Sequence, residues 1–186
     1  DQPLPAVAFL NPHRPECGFP YKGLASCGLV LSVGAAIRAR LGQALDLRGW
    51  LDLVAIGTIA DVAPLDGDNR ALVRAGLRVL AEGRRPGVRV LLELARIDAT
   101  QALSSEDVAF RIAPRINAPG RLGRPDLALE LLLSKSHEEA RALGRARRHR
   151  GGGVGGERGE DERLAGLEIR AHHRTALGGA EFADVG

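Results

Sequence analysis

The sequence predicts an α/β chain that gives way to a mainly helical segment. Three observations carry this. Residues 6–10 (AVAFL) form a short, continuously apolar strand candidate. Residues 51–65 (LDLVAIGTIADVAPL) open on a dense apolar run and end on Asp61 and Pro64. From Asn69 onward the apolar residues recur at helical spacing.

In chain order, the strand candidate runs into Asn11-Pro12-His13-Arg14-Pro15, where two prolines and an Asn force a loop. The loop continues through residues 19–28 (FPYKGLASCG) and opens a helix over about residues 24–41, with Leu29, Val30, Val33, Ile37 and Leu41 at helical spacing. Residues 51–60 are too uniformly apolar for periodicity to separate helix from strand, and we read them as helix. Residues 69–80 are amphipathic, with Leu72, Val73, Leu77 and Leu80 inward and Arg70, Arg74 and Arg78 outward. Pro86 suits a helix first turn, and Val88, Leu91, Leu92 and Ala95 continue the pattern towards Ile97. Ser104 with Asp107 resembles a capping box and starts a short helix expected to end at Pro114. Pro125 opens another helix through Leu133, and Ser136 with Glu139 caps the next.

The character changes after about Leu143. Residues 144–186 hold 11 of the 24 glycines beside Arg145, Arg147, Arg148, His149 and Arg150. A helix announced by a capping box should not dissolve into glycines within two turns, since each helical Gly costs roughly 1 kcal/mol relative to Ala. We expect a shifted reading frame near Leu143, with a genuine Gly/Arg-rich, disordered linker as the alternative.

Composition is that of an ordinary soluble domain, 45% hydrophobic and 26% charged over 186 residues. There is no Met, and no apolar run long enough for a signal peptide or a membrane span, so no membrane partner is expected. We expect a piece of a longer cytoplasmic protein. Cys17 and Cys27 have neither zinc-type nor redox-type spacing and should be free thiols. Of 26 basic residues only Lys22 and Lys135 are Lys; the Arg excess offers planar bidentate donors compatible with a nucleic-acid partner.

Two stretches could carry chemistry. Asp61 sits where the chain leaves an apolar segment, so its surroundings should be rigid, as a metal-ligating or catalytic carboxylate requires. A capping or loop-starting Asp is the plainer alternative. In residues 111–123 (RIAPRINAPGRLG), Arg115 and Arg121 bracket Asn117, Pro119 and Gly120, which reads as a proline-fixed loop with a phosphate-binding surface. The alternative is a structural turn whose arginines pair with Asp107 or Asp126. His13 is more simply a surface histidine than a ligand.

The wording of these stretches adds a resemblance. GTIADVAPL followed by DNRALVRAGLRVL, PRINAPGR, and the NPHRP loop resemble the RecJ family of single-strand-specific DNA exonucleases, in the DHH phosphoesterase superfamily. The likeness covers about residues 3–143. It implies that residues 1–70 are the later part of a parallel-sheet DHH domain, and residues 71–143 a helical region leading to the interdomain linker. It makes Asp61 an acidic ligand of a catalytic divalent metal, Mn2+ or Mg2+, and gives Arg115, Asn117 and Arg121 a substrate-facing or domain-organising role. Single-stranded DNA, with recombination and repair proteins, would be the partners.

The family's Asp-His-His motif should precede the Asn11–His13 loop and is not in this sequence, nor are its upstream Asp-rich motifs. His172-His173 follows Ala171, lies after GTIAD, and is discounted. The expected activity is therefore that of a parent 5′→3′ exonuclease, with this piece alone inactive. The alternatives are a DHH phosphoesterase acting on short oligonucleotides or cyclic dinucleotides, and a non-catalytic scaffold of the same fold.

Overall fold

The computed structural model describes residues 7–98, 101–121 and 123–149. Everything regular among them is helical: α1 Ser26–Leu41, a 3-10 turn Leu47–Trp50, α2 Leu51–Ala60, α3 Gly67–Ala81, α4 Pro86–Leu94, α5 Ser105–Asp107, a π-helical turn Val108–Ile112, α6 Ala113–Arg121, α7 Asp126–Leu133 and α8 His137–His149.

α2 is the hub. It packs against α1, α3, the π turn and α6, and Val54, Ala55, Ile56, Thr58 and Ile59 are buried around it. That explains why its sequence shows no periodicity: a helix surrounded by helices is apolar on every side. Ile56 and Ile59 join Val73 and Leu80 of α3, Val88 and Leu91 of α4, Val108 and Ile112 of the π turn, and Leu131 of α7 in one core. α2 and α3 form an antiparallel hairpin, so close that a Cβ at Gly76 would strike the Leu51 carbonyl. Gly87 lets α4 approach the backbone of α7 at Leu131 in the same way.

One capping box is complete and the other keeps its serine half. Ser104 Oγ accepts from the Asp107 amide at 3.1 Å, and the Asp107 carboxylate accepts from the Ser104 amide at 3.2 Å. Ser136 Oγ accepts from the Glu139 amide, while the Glu139 carboxylate reaches one residue further back, to the Lys135 amide at 2.9 Å. α8 runs past Leu143 to His149, with Gly144 buried against Val90 and Leu94. The expected tail beyond residue 149, its disordered or frame-shifted state and His172-His173 lie outside the described residues.

Three expectations need correction. No strand occurs among the described residues, and residues 7–10 carry exposed Val7, Phe9 and Leu10. A strand exists only where neighbours pair with it, and none of the described segments supplies one. α1 forms as expected, yet Val30, Val33, Ile37 and Leu41 stay exposed. Finally, the helix begun at Ser104 does not end at Pro114, and the loop expected over residues 111–123 is helical to Arg121. The Ala113 amide bonds five residues back, to the Val108 carbonyl. This wider π turn makes room for the Pro114 ring, which would otherwise strike the carbonyl of the preceding turn.

Candidate functional site

Asp61 is the exposed C-cap of α2, with φ −80° and ψ −2°. The chain then reverses in a Schellman turn: the Val62 amide bonds to Ile59 O at 3.1 Å and the Ala63 amide to Thr58 O at 3.2 Å. The residue that must be left-handed in this turn is Val62, with φ 55°. Glycine is usual there, and a β-branched residue in that conformation is strained. The Asp61 carboxylate accepts no hydrogen bond from the described residues and stands free on a rigid base.

What fixes that base is Asn69, which the sequence reading did not single out. It is fully buried in the first turn of α3, and its amide donates to Pro64 O at 2.9 Å and Gly23 O at 2.7 Å. One side chain thereby joins the segment after Asp61 to the loop before α1. The Tyr21 hydroxyl adds a second cross-link by donating to the Asp66 carboxylate. Burial first, and this bond to Asp66 second, push the Tyr21 pKa up to about 12. A polar Asn on the core side of an amphipathic helix was the available signal for Asn69.

The second stretch is placed differently from expectation. Helical periodicity puts Asn117 and Arg121, four residues apart and both exposed, on one side of α6, and Arg115 well round from Asn117. Arg115 is half-buried and donates to the Arg111 carbonyl. Arg121 has no ion-pair partner among the described residues. Of the acids considered as partners, Asp107 is bonded by Arg111 at 3.0 Å and Asp126 by Arg124 at 2.7 Å. Arg111 was not singled out by sequence, yet its guanidinium also caps α4 through the carbonyls of Ala95 and Arg96, both at 2.6 Å.

His13 is exposed, and only its backbone amide is engaged, by Asn11 Oδ1 at 2.9 Å. Cys17 and Cys27 are free thiols, and Cys27 Sγ lies 3.4 Å from Thr58 Oγ1, wedged against Gly57. Among the described residues no three or more His, Cys, Asp or Glu side chains are gathered to hold a metal ion. Asp61 is a suitable hard oxygen donor, but a hard dication needs about six ligands, so this donor set does not by itself make a site. No described helix is long and apolar enough to cross a membrane.

No family model matches the chain. Among curated proteins it is similar to the single-stranded-DNA-specific exonuclease RecJ of Dickeya dadantii, 42% identical over 156 residues, covering 75% of this chain and 26% of that protein. It is similar to RecJ of Escherichia coli, 40% identical over 156 residues with the same coverage of both chains. RecJ of Thermus thermophilus is 48% identical over 108 residues, covering 58% of this chain and 16% of that protein. Among solved structures, RecJ in complex with Mn2+ from Thermus thermophilus superposes with a TM-score of 0.62 at 42% identity, over 72% of this chain and 20% of that one. The Mg2+ complex from the same organism gives 0.58 at 45% identity, over 65% of this chain and 19% of that one. The chain thus spans about a quarter of the length of the curated relatives it matches.

Proposed function

The chain belongs to the RecJ family, and from that premise we propose that its parent protein is a divalent-metal-dependent 5′→3′ exonuclease acting on single-stranded DNA in recombination and repair. The observation that carries this is Asp61: a free carboxylate on a buried, cross-linked base, in a chain similar to RecJ structures solved with Mn2+ and with Mg2+. In the parent, Asp61 is one ligand of Mn2+ or Mg2+, and the remaining ligands come from outside this chain. When bound, such a metal supplies Lewis acidity towards a phosphate oxygen and lowers the pKa of bound water.

This chain's own part is to hold Asp61 still and to receive the strand. Asn69 and the Schellman turn fix the carboxylate's origin. α6, which packs on α2, carries Asn117 and Arg121 as phosphate donors, with Arg115 organising the helix beneath them. The exposed Val30, Val33, Ile37 and Leu41 of α1 fit the remainder of a parallel-sheet DHH domain, which this chain would cover from one side. The protein would work in the cytoplasm alongside other repair proteins. The test is digestion of a 5′-labelled single strand by the parent with Mn2+. Loss of digestion in Asp61→Ala supports the reading; an intact parent inert towards single strands would move it to a non-catalytic scaffold.

A further inference from the structure

α3 presents two unlike sides. Val73, Gly76 and Leu80 are buried, whereas Arg70, Arg74 and Arg78 are exposed on one side at intervals of four. None of the three has an ion-pair or hydrogen-bond partner for its side chain among the described residues. Other arginines here are engaged: Arg48 with Asp46, Arg85 with Asp52, Arg111 with Asp107, Arg124 with Asp126, Arg141 with Glu93. The acids bordering α3 form no ion pair with the row either. Asp66 keeps its charge but is held by the neutral Tyr21 hydroxyl, Glu82 pairs with Arg84, and Asp68 lies on another side of the helix. Like charges four residues apart oppose helix formation, so the row is held by the burial of the opposite side rather than by local pairing.

The row has a direction. Four helical residues rise about 6 Å, so the three guanidiniums mark out a line of about 12 Å. Because α2 and α3 are antiparallel, Arg70 lies at the end of the hairpin where Asp61 stands, and Arg78 lies beside the start of α2. An evenly spaced cationic row without ion-pair partners complements a polyanion with evenly spaced charges. Arginine binds phosphate bidentately without regard to base.

We propose that Arg70, Arg74 and Arg78 form a second contact track for the phosphodiester backbone of single-stranded DNA, separate from α6 and leading away from Asp61. This rests on the proposed reading of the parent as a single-strand-specific enzyme. The track acts only on strands long enough to reach beyond the Asp61 end, so it governs length dependence rather than the chemical step.

The experiment measures binding by the full-length parent, with metal chelated, to a short oligothymidylate and to one several times longer, across a series of salt concentrations. Wild type is compared with the triple variants Arg70→Gln/Arg74→Gln/Arg78→Gln and Arg70→Lys/Arg74→Lys/Arg78→Lys, with melting midpoints recorded beside each. For the long strand the Gln variant should lower the log–log salt slope by about 2, at roughly 0.7 for each lost contact, and weaken binding at moderate salt by at least about tenfold. The Lys variant keeps the charge and should keep the slope, and the short strand should bind alike in all three. Should the triple Gln variant melt early, Arg74→Gln alone must lower the slope by about 0.7. An unaltered slope for the long strand in a folded Gln variant overturns the track while leaving the parent's function standing. A wild-type parent that binds no single strand of either length overturns the functional reading, and the track with it.

Discussion

The Asp52 carboxylate, 3% exposed at the start of α2, accepts from Arg85 Nε at 2.9 Å, and Arg85 also donates to Gly49 O at 2.9 Å. One guanidinium thus ties the beginning of the hub helix to the residue that caps α4. Removing the cation leaves a buried carboxylate uncompensated. Arg85→Ala should cost about 2–4 kcal/mol, the lower part of that range applying because Arg85 keeps some exposure to water. The double variant Asp52→Leu/Arg85→Leu should recover much of the loss. Chemical denaturation of both variants checks this; a double variant no more stable than Arg85→Ala would count against a charge-burial origin.

Tyr21 links pH to the same region. Its folded pKa is pushed up to about 12, above its ordinary value of 10.0, by burial first and by Asp66 second. The folded state therefore keeps a proton that the unfolded state releases. The stabilisation is fully present below pH 10 and disappears as pH rises towards 12. Tyr21→Phe should be less stable than wild type at neutral pH, by roughly 1 kcal/mol for the lost hydrogen bond, and the gap should narrow through that alkaline window. Melting curves at stepped alkaline pH decide it, and a gap that stays constant would exclude the hydroxyl as its source.

Arg96 ends α4 as Val62 ends α2. Its φ is 52°, and the Arg96 and Ile97 amides close a Schellman turn on Glu93 O and Leu92 O. Its side chain is exposed, so little packing is at stake. Arg96→Gly should stabilise the protein by about 0.5–1 kcal/mol, since left-handed backbone is strained for Arg and free for Gly. A lower melting midpoint in that variant would show that Arg96 contributes contacts outweighing its backbone strain.

Features set within a few residues were legible in the sequence. Ser104 with Asp107 closes its box, and Ser136 caps the Glu139 amide, because a cap needs only its own turn. The helix from Asn69 follows from periodicity, since one side of it meets water. Residues fixed by distant partners were not legible. Asn69 bonds to Gly23, and Asp52 to Arg85, across the chain. The prolines of residues 111–123 argued for a loop because the π turn that accommodates Pro114 depends on the core around Val108 and Ile112. Residues 7–10 read as a buried strand from hydrophobicity alone, and hydrophobicity does not say whether strand neighbours exist.

Asp61 tests the functional reading directly in the parent. Its side chain is exposed and bonds to nothing among the described residues, so Asp61→Ala should leave the folding stability within about 0.5 kcal/mol of wild type. Loss of a metal ligand should lower Mn2+ affinity and turnover by at least about a hundredfold. Calorimetric metal titration measured beside turnover separates the two effects. Wild-type metal affinity in the variant would make Asp61 a helix cap and nothing more.

The arginines of α6 should part company. Arg121 is exposed and unpaired among the described residues, whereas Arg115 is half-buried and bonded to the Arg111 carbonyl. Arg121→Ala in the parent should weaken single-strand binding for all sequences alike and flatten the salt slope by about 0.7, with an unaltered melting midpoint. Arg115→Ala removes a hydrogen bond and packing beside the π turn, so it should lower stability by about 1–2 kcal/mol, and any loss of binding should follow from misplacing α6. Its salt slope should stay near that of wild type. Binding titrated at several salt concentrations, with a melting curve for each variant, distinguishes these outcomes. A flattened slope in Arg115→Ala at unaltered stability would turn that side chain towards the nucleic acid and make α6 a two-sided phosphate contact.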